Sequence, residues 1–435
     1  MITLPPQSDD VWVLADADSF FASCEVARNP VLRGKPVCIA RPGDIVLAST
    51  YEAKACGVTT GTPTREAKRL LGSAGIFLPP DMGYYGRVSA QVFTCMAEYG
   101  EMLEQFSIDE AFLKLPRLSI CEGTTREVTA FNRQKAYEDY LCMVQAKIRQ
   151  YTGIPFTFGA APTRILAKTF AKLKKPYGIY VGLDESRIIT TLRQLPLTKT
   201  PFIGQRTAAK IAYCRTMYDF YALPGEQVRK VLGWNGLKLW LEVHGVHAVT
   251  IDREGPPTVI SRCRSFHPHF TDKYTHIWAY LFKNFEYAYK QLIDQQVEVK
   301  YLKIRIKSQS FVSSKAVVRL PRPTRDRAVL LDHCRRLLDE CRQEGVSWRQ
   351  TGVVFSELYQ PVFHQQSILD VSDASQERSL YRGMADQGDD QRHEYNTQHR
   401  IPLTRSSRLH RVIEDINHTW GKEILTRATS QLLST

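Results

Sequence analysis

The chain has 435 residues, 43% hydrophobic and 24% charged, the balance of a globular protein too long for one ordinary core and divided into two to four domains. Its formal net charge of +13 favours a polyanionic partner such as nucleic acid. No apolar run approaches the roughly 18 residues of a membrane span, and the ten cysteines contain no Cys-x-x-Cys pair, so a membrane role, a zinc site and a disulfide framework are set aside in favour of a reducing cytoplasm.

Residues 1–10 carry two prolines and two aspartates without a basic start or an apolar centre, so no secretory leader is expected there. Residues 11–16 read as a buried strand ending in Asp16, and 19–28 as the helix after it. Short strands near 36–40 and 45–49 follow, then a helix from Tyr51 to Gly57. A second helix covers 63–71, with Pro63 in its first turn and Gly72 closing it. Tyr85, Val88, Val92 and Met96 give residues 84–104 helical spacing. Residues 104–108 and 111–115 form a hairpin, and 116–134 are an irregular polar loop. A helix over 135–150 and a strand over 156–160 complete a sheet with helices behind it, of the ferredoxin-like kind. The helix over 163–173 stops at Lys174-Lys175-Pro176-Tyr177-Gly178.

The hairpin turn holds Asp109 and Glu110. Such a pair is by itself most simply a solvated turn. Here it lies between Phe106, Ile108, Ala111 and Phe112, and charge in apolar surroundings needs a counter-charge. Together with Asp16 at the end of a buried strand, the pair supplies hard oxygen ligands for two Mg²⁺ ions. Asp18 is set aside, since alternation along the strand aims it differently. His244 and His247 lack further ligands and read as ordinary helix residues.

Residues 184–250 are mostly helical with short loops. Within them Pro201 to Lys210 resembles a helix-hairpin-helix clip, in which Gly204 and Arg206 would meet phosphate at a positive helix end; a plain helical hairpin fits the pattern as well. Gly255-Pro256-Pro257 marks a linker. Beyond it, Leu302, Ile304 and Ile306 alternate with Lys303, Arg305 and Lys307. Lys315 and Arg319 repeat the theme, as do Arg262 and Arg264 in the first strand of this domain. One apolar and one cationic face suit a sheet that meets a DNA backbone. Residues 371–400, rich in Asp, Gln, Arg and Ser, read as disordered, and residues 409–427 as a short amphipathic helix with Val412, Ile413 and Ile416.

Four motifs in order carry a resemblance: Asp16-Ala17-Asp18-Ser19-Phe20-Phe21-Ala22-Ser23-Cys24-Glu25, Tyr51 to Val58, Ser107-Ile108-Asp109-Glu110, and Gly159 to Lys168 continuing to Lys175-Pro176. The chain resembles the Y-family of translesion DNA polymerases over residues 10–430, most of all its UmuC-type catalytic subunits. The resemblance implies an α+β multidomain fold: a ferredoxin-like palm (11–26 and 81–178), small fingers (27–80), a helical thumb with the helix-hairpin-helix (179–254), an α/β little finger (258–362) and a tail (363–435). It implies low-fidelity, template-directed addition of deoxynucleotides to a primer in a damage (SOS-type) response. It assigns the ions to Asp16, Asp109, Glu110 and the carbonyl of Ala17, the β- and γ-phosphates to Tyr51, Lys54 and Lys168, and a steric gate against the 2′-hydroxyl to Phe21, which otherwise reads as a core aromatic. Many relatives have Arg at Lys54 and Gly at Phe202. Gln365, Ile368 and Leu369 resemble a degenerate sliding-clamp peptide. Implied partners are primer–template DNA, deoxynucleotides, a clamp and an UmuD-type accessory dimer, with no membrane, in the bacterial cytoplasm at the nucleoid. Two rival classes are a catalytically inactive DNA-binding scaffold and a nucleotide cyclase-like enzyme. The three carboxylates speak against the first, and the cationic sheet and the clip against the second.

Overall fold

A computed structural model describes residues 9–119, 125–249, 257–266 and 270–361. The expectations for the clamp peptide, the polar tract over 371–400 and the tail helix lie outside the described residues. The chain divides into two compact units, residues 1–252 and 253–435.

In the first unit β1 (Trp12–Ala17) leads into α1 (Phe20–Arg28), β2 (Val37–Ile39), β3 (Ala48–Ser49), α2 (Tyr51–Ala55), α3 (Thr64–Leu71) and β4 (Ile76–Leu78). Then come α4 (Met82–Ala97), β5 (Met102–Gln105), β6 (Glu110–Lys114), α5 (Arg126–Thr152), β7 (Phe156–Ala161), α6 (Arg164–Ala171) and β8 (Ile179–Val181). A helical run closes the unit: α7 (Glu185–Gln194), a 3-10 turn (Leu197–Lys199), α8 (Gln205–Lys210), α9 (Met217–Tyr221) and α10 (Gly225–Val243).

The principal sheet has the order β5-β6-β1-β7-β8, with β1 at its centre and every residue of β1 buried. That burial explains why β1 is a continuous apolar run rather than an alternating one. Val13, Ala15 and Ala17 face a core built with α1, α4 and α5. Trp12 and Leu14 face a second core built with α6 and the helices that follow it. The expectation of helices behind one face is therefore corrected: both faces are covered. The smaller sheet, β3-β2-β4, packs with α2 and α3 around Val46, Ala53, Ala67 and Leu71.

Three other expectations change. Helix α5 begins at Arg126, inside the stretch expected to be a loop, because Thr125 caps it by accepting from the Val128 amide (3.3 Å). The strand expected over 45–49 shrinks to Ala48–Ser49 plus an isolated bridge from Ile45 to Pro63. The three-residue strands β4 and β8, each parallel to its neighbour, were not anticipated.

The second unit contains β9 (Val259–Ser265), α11 (Tyr274–Asp294), β10 (Glu298–Ser308), β11 (Ser313–Thr324), α12 (Arg327–Cys341) and β12 (Trp348–Tyr359). Its sheet has the order β11-β10-β12-β9. Leu302, Ile304, Ile306, Val353 and Phe355 form the core with Ile277, Leu281, Phe285, Leu330 and Leu338 of the two helices.

Candidate active site and nucleic-acid interface

Asp16 and Glu110 are direct cross-strand partners in the β1–β6 pairing. Alternation places them with Leu14 and Phe112 on the α6 side of the sheet. The Ala17 amide donates to the Asp109 carbonyl (2.9 Å), tying the end of β1 to the turn before β6. Ser107 fixes the Asp109 side chain through a 2.5 Å hydroxyl–carboxylate bond. The amides of Phe106 and Ser107 both donate to the Glu110 carbonyl (2.9 and 3.0 Å), closing that turn.

Burial raises the Asp16 carboxyl to about 6; Lys175 opposes the shift and the nearby Glu110 and Asp109 charges add to it. The three acidic groups thus share one electrostatic neighbourhood. They do not form a ready cage: among the described residues, no three acidic, histidine or cysteine side chains stand in metal-holding geometry. Like charges separate unless a cation stands between them, and here ammonium groups supply the positive charge. Lys175 Nζ lies 2.5 Å from Asp16 Oδ1, and Lys168 bonds Glu110. In this arrangement the lysine ammonium groups engage the carboxylates, whose oxygens are of the hard type that divalent ions take.

Asp18 is 2% exposed and saturated with donors. It accepts from Tyr51 Oη (3.1 Å), Thr157 Oγ1 (2.8 Å) and the Tyr177 amide (2.8 Å). Alternation does not separate it from Asp16, since Lys175 reaches both, at 2.5 and 4.0 Å. Its three donors set it apart. The sequence reading missed this role and that of Lys175, which was hidden in the polar stop after α6.

Tyr51 and Lys54, on successive turns of α2, converge on the same end of β1. Lys54 Nζ donates to Ser19 Oγ (2.7 Å) and stands 4.0 Å over the Tyr51 ring. Burial, then repulsion from Lys175, lowers the Lys54 pKa. Burial and the Asp18 charge raise that of Tyr51. Lys172, one turn beyond Lys168, is lowered by burial and by Lys168. Phe21 is half-buried and stacks on Tyr85 (4.7 Å between centroids, 15°). His244 is the C-cap of α10 and stacks on Tyr221 at 4.1 Å; His247 lies past the helix, 3.6 Å from Asp10.

In the clip-like segment the element before the hairpin is only a 3-10 turn. Gly204 caps α8, its carbonyl accepting from the Thr207 and Ala208 amides (3.0 and 2.9 Å), and Arg206 is exposed.

In the second unit, Lys303, Arg305 and Lys307 face away from the helices. Arg305 pairs with Lys315 across β11, and Tyr301 with Arg319. Arg319 also meets Glu357 Oε2 (3.0 Å), which the left-handed backbone at Glu357 (φ 50°) brings there, so this face is not uniformly positive. Arg262 and Arg264 require a correction. Their cross-strand partners are Val353 and Thr351, both buried, and Ile260 before them pairs with Phe355. They therefore lie on the helix side, where Arg264 stands 5.2 Å over the Tyr287 ring of α11. Ser261, Cys263 and Ser265 occupy the outer face of that strand.

The impB/mucB/samB family matches residues 15–172, and its C-terminal domain residues 257–369, together well over half of the chain. A DNA polymerase IV of Pelotomaculum thermopropionicum is 32% identical over 58% of the chain and 60% of its own length, so the chain spans less than two thirds of that curated relative. A DNA polymerase IV of Desulfatibacillum aliphaticivorans is 26% identical over 81% of the chain and 87% of its own length. Among solved structures, a Y-family DNA polymerase chimera of Dbh and Dpo4 segments superposes with a TM-score of 0.65 at 22% identity, covering 81% of the chain and all of the chimera.

Proposed function

The chain belongs to the impB/mucB/samB family and with it to the Y-family, and from that premise we propose that it is a template-directed DNA polymerase that adds deoxynucleotides to a primer 3′-hydroxyl opposite damaged template. The observation that carries this reading is the pairing of Asp16 with Glu110 beside Asp109, with lysine ammonium groups at the same place. Carboxylates for divalent ions and lysines for phosphate are the two charge types that nucleotidyl transfer requires.

In this reading Asp16, Asp109, Glu110 and the Ala17 carbonyl would hold two Mg²⁺ ions, which would supply positive charge to the phosphoryl displacement. Tyr51, Lys54 and Lys168 bind the β- and γ-phosphates. Lys54 is a point charge and offers no bidentate fork. Asp18 accepts the single Tyr51 hydroxyl proton in this structure, so the tyrosine must exchange that bond for one to a phosphate oxygen when the nucleotide binds. Phe21, held flat against Tyr85, excludes a 2′-hydroxyl by bulk. The domain limits set out above, a UmuC-type place within the family and a cytoplasmic, nucleoid-associated setting belong to the same proposal. DNA contacts fall to Gly204 and Arg206 in the first unit and to Lys303, Arg305, Lys307, Lys315 and Arg319 in the second. Arg262 and Arg264 are placed on the other face. A sliding clamp and an UmuD-type dimer are the proposed protein partners.

Extension of a labelled primer–template with Mg²⁺ and deoxynucleotides tests the reading, on intact and abasic templates and with or without a clamp. Asp109→Ala is expected to abolish extension and leave DNA affinity intact. Absence of extension by the wild type, or retained extension by the variant, would overturn it.

A further inference from the structure

Phe202 stands at the tip of the clip-like hairpin with φ 66°, a left-handed conformation in which a Cβ crowds the following carbonyl and glycine is the usual occupant. The residue is 61% exposed. Neither backbone preference nor burial accounts for a phenylalanine there, and a strained position of this kind is a reason to look for a role.

The ring meets Phe106 edge-on, with centroids 6.4 Å apart and planes at 82°. Phe106 in turn meets Phe112 edge-on at 5.7 Å, anchoring it to the sheet. The Lys168 ammonium stands 4.6 Å over the Phe106 ring and bonds Glu110. The Phe106 amide donates to the Glu110 carbonyl, so ring and carboxylate share one tight turn. A continuous chain of contacts therefore runs from the hairpin tip through Phe106 to the lysine and the acidic pair, all inside the first unit.

We propose that Phe202 is a positioning residue of the polymerase site: by buttressing Phe106 it sets the Lys168–Glu110 end of the site and makes the hairpin and the carboxylate-bearing turn move as one body. It acts through Phe106 and does not touch the substrate. The inference rests on the polymerase reading above, but it has a readout that needs no turnover.

The test uses the full chain with Phe202→Gly, which suits the left-handed backbone, Phe202→Tyr, which keeps the ring edge, Phe106→Leu, and the double variant Phe106→Leu/Phe202→Gly. Phe202→Gly is expected to lower kcat for single-nucleotide addition about five-fold or more while DNA affinity stays within about two-fold, since small displacements at a reacting centre cost rate more than binding. Phe202→Tyr restores the rate, and the double variant is no slower than Phe106→Leu alone. Hydrogen exchange of the Phe106 and Ser107 amides, which donate to Glu110, is expected to quicken several-fold in Phe202→Gly without DNA or nucleotide. Unchanged exchange together with unchanged kcat overturns the proposal, as do multiplicative losses in the double variant or a glycine-like Phe202→Tyr. Loss of DNA affinity at unchanged kcat overturns it in favour of direct DNA contact. A wild type that fails to extend primers overturns the polymerase reading alone, and the exchange measurement then decides the coupling.

Discussion

At the scale of single residues, Asp16 sets a conflict between holding the fold and doing chemistry. Its carboxyl titrates at 3.8 when free and at about 6 in the fold, chiefly because burial penalises the charge. Between those values the folded state keeps a proton that the unfolded state has lost, so stability falls as pH rises from about 4 to about 6 and stays low above that. The cost is on the order of 3 kcal/mol for a shift of this size. Asp16→Asn is therefore expected to unfold at higher denaturant than the wild type at pH 8 in chelator, with the gap closing toward pH 4. Equal midpoints at both pH values would refute the assignment. The same substitution removes a proposed ion ligand, so a more stable protein should be an inactive one. Much of this site was legible beforehand, because a carboxylate at the end of an apolar strand is conspicuous. The lysines that neutralise it were not. Lys175 sits in a polar run that reads as a mere helix stop, and the role of Asp18 depends on donors from Tyr51, Thr157 and Tyr177 that only folding brings together.

At the scale of elements, the contact between β7 and α6 decides where Lys168 stands. A Cβ at Gly159 would lie 2.1 Å from the Ala171 amide nitrogen and 2.4 Å from the Ala167 carbonyl oxygen, so strand and helix touch backbone to backbone. Backbone cannot step aside as a flexible side chain can. Gly159→Ala is expected to cost about 3 kcal/mol, at the upper end of overpacking penalties, and to weaken nucleotide binding by displacing α6. A thermal scan beside a nucleotide titration checks both, and an unshifted midpoint would contradict the close approach. Elements with a strong apolar rhythm were readable from sequence, such as β1, α4 and β10. Those that lacked it were not: the start of α5 relies on a single threonine cap, and β4 and β8 are too short to show a period. The face of β9 was readable but misread. Ile260 precedes Arg262 by two residues and so shares its side, which fixes both arginines opposite to the outer lysines.

At the scale of the whole molecule, the excess of 13 positive charges is distributed, and its local grouping matters more than its sum. If the outer face of the second unit meets phosphates, replacing Lys303, Arg305 and Lys307 by alanine should flatten the dependence of log Kd on log salt by about 3, nearly one for each phosphate that is no longer neutralised. Arg262→Ala with Arg264→Ala should leave that slope almost unchanged, since those side chains lie on the helix side. Binding isotherms on duplex DNA at several salt concentrations decide it, and equal slopes for the two sets would remove the distinction between the faces. No helix among the described residues is long and apolar enough to cross a membrane. The central place of β1, with alternate side chains committed to two different cores, has a further consequence for how such a protein can diverge. A one-residue insertion between Leu14 and Asp16 would move the residues after it to the opposite face and turn Asp16 toward α5, away from its lysine and its acidic neighbours. Lineages can therefore vary the bulk of these side chains far more freely than the spacing between them.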